Sequence, residues 1–346
     1  MKKEESSALQ GIAALLMVFH HCFMLTPYFA DGFLKNPGLT EQFAKSARIA
    51  IAICAFVSGY GIYHTLKKTD GYTAEYKNVG RRILGLYTRF WYVLAVTLIA
   101  EILFFGREIA FGELPGNITA FNPTYNTTWW YVREYMIMLL IAPLIKSLLQ
   151  GDKQRRSIVC VLIGIFVIIL GVLFAIPNSR QLLPSFFGYI QILLLIVFFE
   201  GYFIAFIQDK LSGKNIRRPD NAILMGIIGI VLTVLSYALR FMVSFDGGDS
   251  KPDIIITPFF VLGVVLTLRA LIPLRTVLAF IGKNLLYIWF IHGLVWKEGM
   301  FALITYTNPF IFYLAIFISS LILALILGSI ERMIVSLIRK NFQKET

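Results

Sequence analysis

Hydrophobic residues fill this chain in long blocks separated by short polar stretches. Windows of about 20 apolar residues, the length that crosses a hydrocarbon core about 30 Å thick, recur about ten times. They lie near Ala8 to Leu25, Ala44 to Leu66, Ile83 to Phe105, Trp129 to Leu149, Ile158 to Ile176, Leu183 to Ile207, Ala222 to Val243, Ile254 to Leu271, Val277 to Trp296 and Pro309 to Ile338. The pattern predicts an all-α, polytopic integral membrane bundle. Pro184 and Gly188 interrupt the sixth block and Pro143 the fourth, so irregular helix is expected there. The connections are short, without internal repeats, and residues 1–346 read as one membrane domain with no soluble domain appended.

Composition supports that class. A chain of 346 residues that is 58% hydrophobic and 15% charged, with mean hydropathy +0.73, has too little polar surface to cover a soluble globule. Cys22, Cys54 and Cys160 all lie in apolar runs, at separations that fit neither a metal site nor a small disulfide framework. No metal is expected. The first apolar run leads into further spans rather than a cleavage site, so it is expected to stay in the mature protein.

Charge adds orientation. Sorting the 32 Lys and Arg residues by connection puts the larger share on the side of the N-terminus, the alternate loops and the C-terminal tail. Cations are retained on the cytoplasmic side of short loops, which predicts a plasma-membrane protein with both termini in the cytoplasm. The net charge of +12 then needs no nucleic acid. Basic pairs at Lys67 to Lys68, Arg81 to Arg82, Arg155 to Arg156 and Arg217 to Arg218 would meet anionic lipid headgroups.

Against this apolar background the buried polar residues stand out. His20 and His21 lie in the run GIAALLMVFHHCFML, and an ionisable side chain inside a span is a functional-site hypothesis by default. At about 1.5 Å per residue, His21 is expected roughly 18 Å from the cytoplasmic entry of its helix, near the midplane. Successive residues are rotated by about 100° on a helix, so the two rings cannot share one narrow site, and one of them is expected to be structural. Arg89 lies about 9 Å inside the third span, behind Arg81, Arg82 and Tyr87, a column of cations suited to phosphates. The competing reading for Arg81 and Arg82 is snorkelling to headgroups. On the opposite face, Trp129 and Trp130 read as an interfacial belt. Arg133 and Glu134 follow, either as a charge pair or as a grip on a hydroxylated acceptor. In the ninth span, Asn284, Tyr287 and Ile291 are spaced to share one helix face, with His292 near its edge.

These segments carry a resemblance. SALQGIAALLMVFHH resembles the first helix of the acyltransferase 3 family, where a pattern like LRGIAxLLVVxxH ends in the functional histidine, and the spacing from Gly11 selects His21 over His20. FVSGYGI, around Ser58, is similar to the family's second-helix FxSGY motif. YKNVGRRILGLYTRFW resembles its basic third helix, WWYVREYMIMLLIAPLI its fourth, and IGKNLLYIWFIH its LGxxSLxIYLxH signature. Two positions depart: Gln10 stands where the family has arginine, and Gly85 where it has the second arginine of RxxR.

The resemblance implies a membrane O-acyltransferase that moves an acyl group, most simply acetyl, from cytoplasmic acyl-CoA to a hydroxyl of an extracytoplasmic carbohydrate or other cell-envelope acceptor. Acetyl-CoA or another acyl-CoA would be a co-substrate, with no cofactor bound permanently. His21 would serve as general base or as a covalent acyl relay. Arg81, Arg82, Arg89, Tyr87 and Ser58 would hold the donor; Trp130, Arg133, Glu134, Asn284, Tyr287 and His292 would face the acceptor. Membrane lipids are the expected surroundings, and a partner protein for acceptor delivery is left open. Two other classes stay in view. A proton-coupled transporter would predict internal symmetry, and none is visible in the sequence. A non-catalytic sensor keeping the fold would be consistent with Gln10 and Gly85.

Overall fold

The computed structural model describes residues 1–24, 37–106, 108–161, 165, 189–212, 221–244, 251–297 and 308–342. These residues form helices, with no strand among them. The helices are α1 (Lys3–Met24), α2 (Pro37–Ser46), α3 (Ile49–Leu66), α4 (Tyr72–Phe105), α5 (Leu114–Thr119), α6 (Tyr131–Gln150), α7 (Tyr189–Ser212), α8 (Ala222–Val243), α9 (Asp253–Ala270), α10 (Ile272–Lys283), α11 (Leu285–Lys297) and α12 (Pro309–Phe342). Among the described residues, seven helices are long and apolar enough to cross a membrane, or eight when α10 and α11 count as one bent span. About ten were expected. The fourth expected span is α6, whose twenty residues include Arg133, Glu134 and Lys146. Most of the fifth, with Pro184 and Gly188 of the sixth, lies outside the described residues.

Three helices differ from their hydropathy outlines. α1 starts at Lys3, five residues before the apolar run, because its acidic first turn is neutralised by later helices: Glu5 by Arg269 at 2.9 Å and Glu4 by Arg275 at 3.1 Å. α4 extends to 34 residues, about 51 Å of helix, which leaves its basic first turns beyond one bilayer thickness. The expected ninth span is broken, since the axis turns by 68° at Asn284. Asn284 is the C-cap of α10, and its side-chain amide donates back to the Phe280 carbonyl at 2.9 Å. Asn284 and Tyr287 therefore belong to two helices and do not share a helix face.

Contacts divide the chain into two units. The larger comprises residues 1–54, 87–131 and 219–346. In it α1 crosses α10 closely, so that a Cβ on Gly11 would fall 2.0 Å from the Leu278 carbonyl oxygen and one on Gly282 would fall 1.8 Å from that of Ser7. Small residues let helix backbones approach this closely in membranes. The glycines of the first and last motifs thus meet each other. α8 and α9 mesh in the same way at Gly229 and Gly263. The buried Arg240 on α8 meets Asp253 on α9 at 2.5 Å, and Gln42 and Ser46 on α2 bond to Phe241 and Tyr237 of α8.

The smaller unit comprises residues 55–86 and 132–218. Here α3 crosses α7, with a Cβ on Gly59 1.9 Å from the Phe198 carbonyl oxygen and one on Gly201 2.0 Å from that of Phe56. The glycine of the SGY motif is accounted for by this crossing. Tyr63 donates to Asp209 at 2.9 Å and Tyr60 to Gln208 at 2.8 Å, tying the ends of the two helices together.

Candidate active site

The residue that sequence reasoning placed first acquires a partner 271 positions away. The Nδ1 atom of His21 and the Nε2 atom of His292 are 2.8 Å apart, with ring centroids at 4.8 Å. α1 supplies one ring, and the bend at Asn284 aims α11 so that it supplies the other. His292 is fully buried; His21 retains some accessible surface. His21 stands in the last turn of α1, about 27 Å of helical rise from Lys3, so it lies well past the centre of its helix.

The partners of His292 order the hydrogens of the pair. The Nδ1 atom of His292 is 2.7 Å from the Trp289 carbonyl and 3.1 Å from that of Ile288. Carbonyls only accept, so this nitrogen carries the hydrogen and donates. In a neutral ring the Nε2 of His292 is then a lone pair. The hydrogen between the rings must belong to Nδ1 of His21, which donates to His292. His21 also hydrogen-bonds the backbone of Met17, one turn back; in the neutral tautomer with hydrogen on Nδ1, its Nε2 is unprotonated.

His20 points elsewhere, as the rotation argument required. Its Nδ1 lies 2.7 Å from the carbonyl of Ala44 at the end of α2, a bond that fastens α1 to α2. The neighbouring histidines thus divide into a strut and a ring with a bare nitrogen.

Other candidates in this unit have different surroundings from those expected. Arg89 donates to Glu331 of α12 at 3.2 Å, and the hydroxyl of Tyr287 donates to the other oxygen of the same carboxylate at 2.6 Å. A residue assigned to the donor and one assigned to the acceptor therefore share one anion, which the sequence pattern did not reveal. Tyr87 donates to the Thr119 carbonyl at 2.8 Å, and Trp91, one turn on, donates to Ile118 at 2.9 Å. The segment around Ile118 and Thr119 therefore folds back along α4. Ala120 turns it with a φ of 57°. Its end is fixed to α11 from both sides: Trp129 donates to the Phe290 carbonyl at 2.9 Å and Trp289 to that of Thr128 at 3.0 Å. Trp129 is wholly buried, which removes it from the interfacial belt. Trp130 is half-buried, edge-on to Tyr131 at 5.8 Å.

In the smaller unit, Arg133 and Glu134 are buried and bonded to each other at 2.6 Å. Arg81 and Arg82 are exposed, and Arg82 donates to the Thr65 hydroxyl. Ser58 is half-buried on α3, one residue before the Gly59 crossing. Two further residues escaped sequence reasoning: Glu331, one carboxylate in a long apolar helix, and Asn126, whose signal was only its place ahead of Thr127 and Thr128 as a helix cap.

The fold and the site together define a polytopic helical membrane protein that buries a hydrogen-bonded pair of histidines from its first and eleventh helices. Comparison with protein families gives the particular one. The model of the acyltransferase 3 family, described as an acyltransferase domain, matches residues 5–329, so the chain belongs to that family of membrane acyltransferases. No curated protein and no solved structure matches the chain.

Proposed function

We propose that the protein is a membrane O-acyltransferase in which His21 deprotonates the acceptor and His292 holds His21 in the tautomer that can do so. The observation that carries this reading is the 2.8 Å bond between the rings together with the two carbonyls on the far nitrogen of His292. A hydroxyl is a poor nucleophile until its proton is removed, and a positioned base contributes about 10²- to 10⁴-fold in rate. As the acceptor oxygen attacks the thioester carbonyl carbon, its proton passes to Nε2 of His21. The resulting imidazolium keeps its Nδ1–H bond to His292. When the tetrahedral adduct collapses, the carbon–sulfur bond breaks and the thiolate of CoA recovers the proton, leaving an ester and CoA.

In this reading the donor is acetyl-CoA or another acyl-CoA from the cytoplasm, both termini are cytoplasmic, and the acceptor is a carbohydrate of the cell envelope. Arg81 and Arg82, exposed on α4, suit the phosphates of the nucleotide. Arg89 and Tyr287 are reassigned to a structural knot with Glu331, and His292 moves from acceptor contact to positioning.

The test uses membranes from cells producing the protein, supplied with acetyl-CoA labelled in the acetyl group. Alkali-labile label in envelope carbohydrate is then measured. The expected result is transfer by the unaltered protein and by His20→Ala, and loss of at least about 100-fold in His21→Ala. Equal rates for His21→Ala and the unaltered protein would overturn the assignment.

A further inference from the structure

Asn126 is fully buried, and its side-chain Nδ2 has no hydrogen-bond partner. Its Oδ1 is occupied, accepting from the backbone N–H of Thr128 at 3.0 Å and from the Thr128 hydroxyl at 2.7 Å. Those two bonds cap the short 3-10 turn at Thr127–Trp130 and fix the plane of the amide. Capping explains the oxygen; it does not explain a spare amide donor shut away from water. Serine would cap about equally well without burying a second polar heavy atom.

The position of that donor is informative. A Cβ on Gly293 would fall 2.7 Å from both Nδ2 and Oδ1 of Asn126, and 3.0 Å from the Thr128 hydroxyl. The amide therefore lies directly on the backbone of α11 at the residue following His292. The two crossed tryptophan bonds, Trp129 to Phe290 and Trp289 to Thr128, hold the 126–129 turn in register with that part of α11. One helix turn thus presents the ring that orients the base on one face and receives a fixed, unpaired N–H donor on the neighbouring face.

We infer that Asn126 is a catalytic residue, its Nδ2–H donating to the carbonyl oxygen of the acyl group as that oxygen gains charge. This rests on the acyl-transfer reading above. In the tetrahedral adduct the former carbonyl oxygen becomes an oxyanion. A donor already aimed and already without water needs no reorganisation to stabilise it. The absence of any other partner for Nδ2 means that the substrate bond displaces no existing one.

Two measurements test this. In labelled acetyl-CoA transfer by membranes, Asn126→Ser keeps a capping oxygen and loses the amide. It is expected to lower kcat by about 10²- to 10³-fold while the KM for acetyl-CoA changes little. His21→Ala runs in parallel. Wild-type kcat in Asn126→Ser beside a dead His21→Ala would overturn this inference and leave the base assignment standing; a fully active His21→Ala would overturn both. The second measurement needs no turnover. In the inactive His21→Ala background, the infrared carbonyl stretch of bound acetyl-CoA labelled with carbon-13 is expected at lower frequency with Asn126 than with Asn126→Ser. Identical frequencies with donor bound in both would refute the contact, including where Asn126→Ser alone folds poorly.

Discussion

In the smaller unit, the buried carboxylate of Glu75 meets Lys146 at 2.6 Å and Arg155 at 3.6 Å, and the Arg155 guanidinium also covers the Tyr72 ring. Charge closes on charge there, and the cluster ties the start of α4 to the end of α6. Around His21, in the larger unit, neutral groups pass hydrogen bonds one way, from the His21 Nδ1–H to His292 and from His292 to the Trp289 carbonyl. That chain ends at a bare nitrogen on His21. Both regions place polar atoms inside apolar helices, but the first sets one carboxylate against two cations and the second is a run of neutral groups. Ion pairing dominates the first and neutral hydrogen bonding the second, so a substitution acts on different physics in each.

Substitutions sharpen this contrast, the largest effect coming from His21→Ala. It is expected to lower the transfer rate by about 10²- to 10⁴-fold with the protein still folded, as seen by acetyl transfer together with detergent-extracted monomer profiles. Glu75→Gln should do the reverse. Removing one partner from a buried ion pair costs about 3–5 kcal/mol, so a lower thermal midpoint is expected, with transfer per folded molecule unchanged. For the ring that positions the base, His292→Phe is expected to reduce kcat by about 100-fold. His292→Gln should recover part of that loss, because its Oε1 can still accept from His21; equal losses would show that acceptance by residue 292 is irrelevant. Gly282→Ala would force a Cβ to 1.8 Å from the Ser7 carbonyl. Overpacking of this kind costs about 1–3 kcal/mol, measurable as a reduced thermal midpoint. His20→Ala gives up one bond to the Ala44 carbonyl, worth about 1 kcal/mol, and should leave transfer within a few-fold.

Sequence made much of this legible. Helical rotation separated His20 from His21, and the spacing from Gly11 chose the ring that turns out to be paired. Hydropathy found the apolar helices because a span must repeat over some twenty residues. The same averaging concealed the 68° break, since a single Asn284 hardly changes a window of that width. Hydropathy outlines the apolar part of α1 and not its polar first turn, whose Glu4 and Glu5 meet Arg275 and Arg269 from more than 250 residues away. Long-range partners hid the rest. Arg89 reads as a phosphate ligand until Glu331 is seen beside it, and Trp129 reads as a belt residue until its indole is found on the Phe290 carbonyl. Asn126 had the least chance of being noticed: its meaning lies in a missing partner and in its contact with Gly293, neither of which leaves a pattern in the chain.

The central claim is that His21 keeps a bare Nε2 because His292 accepts from its Nδ1. Nitrogen-15 NMR of histidine-labelled protein in membranes, with the His21 signals assigned by their loss in His21→Gln, reports this directly. The account predicts a protonated Nδ1 and an unprotonated Nε2 on His21, with His292 protonated at Nδ1. A His21 ring carrying its hydrogen on Nε2 would contradict it.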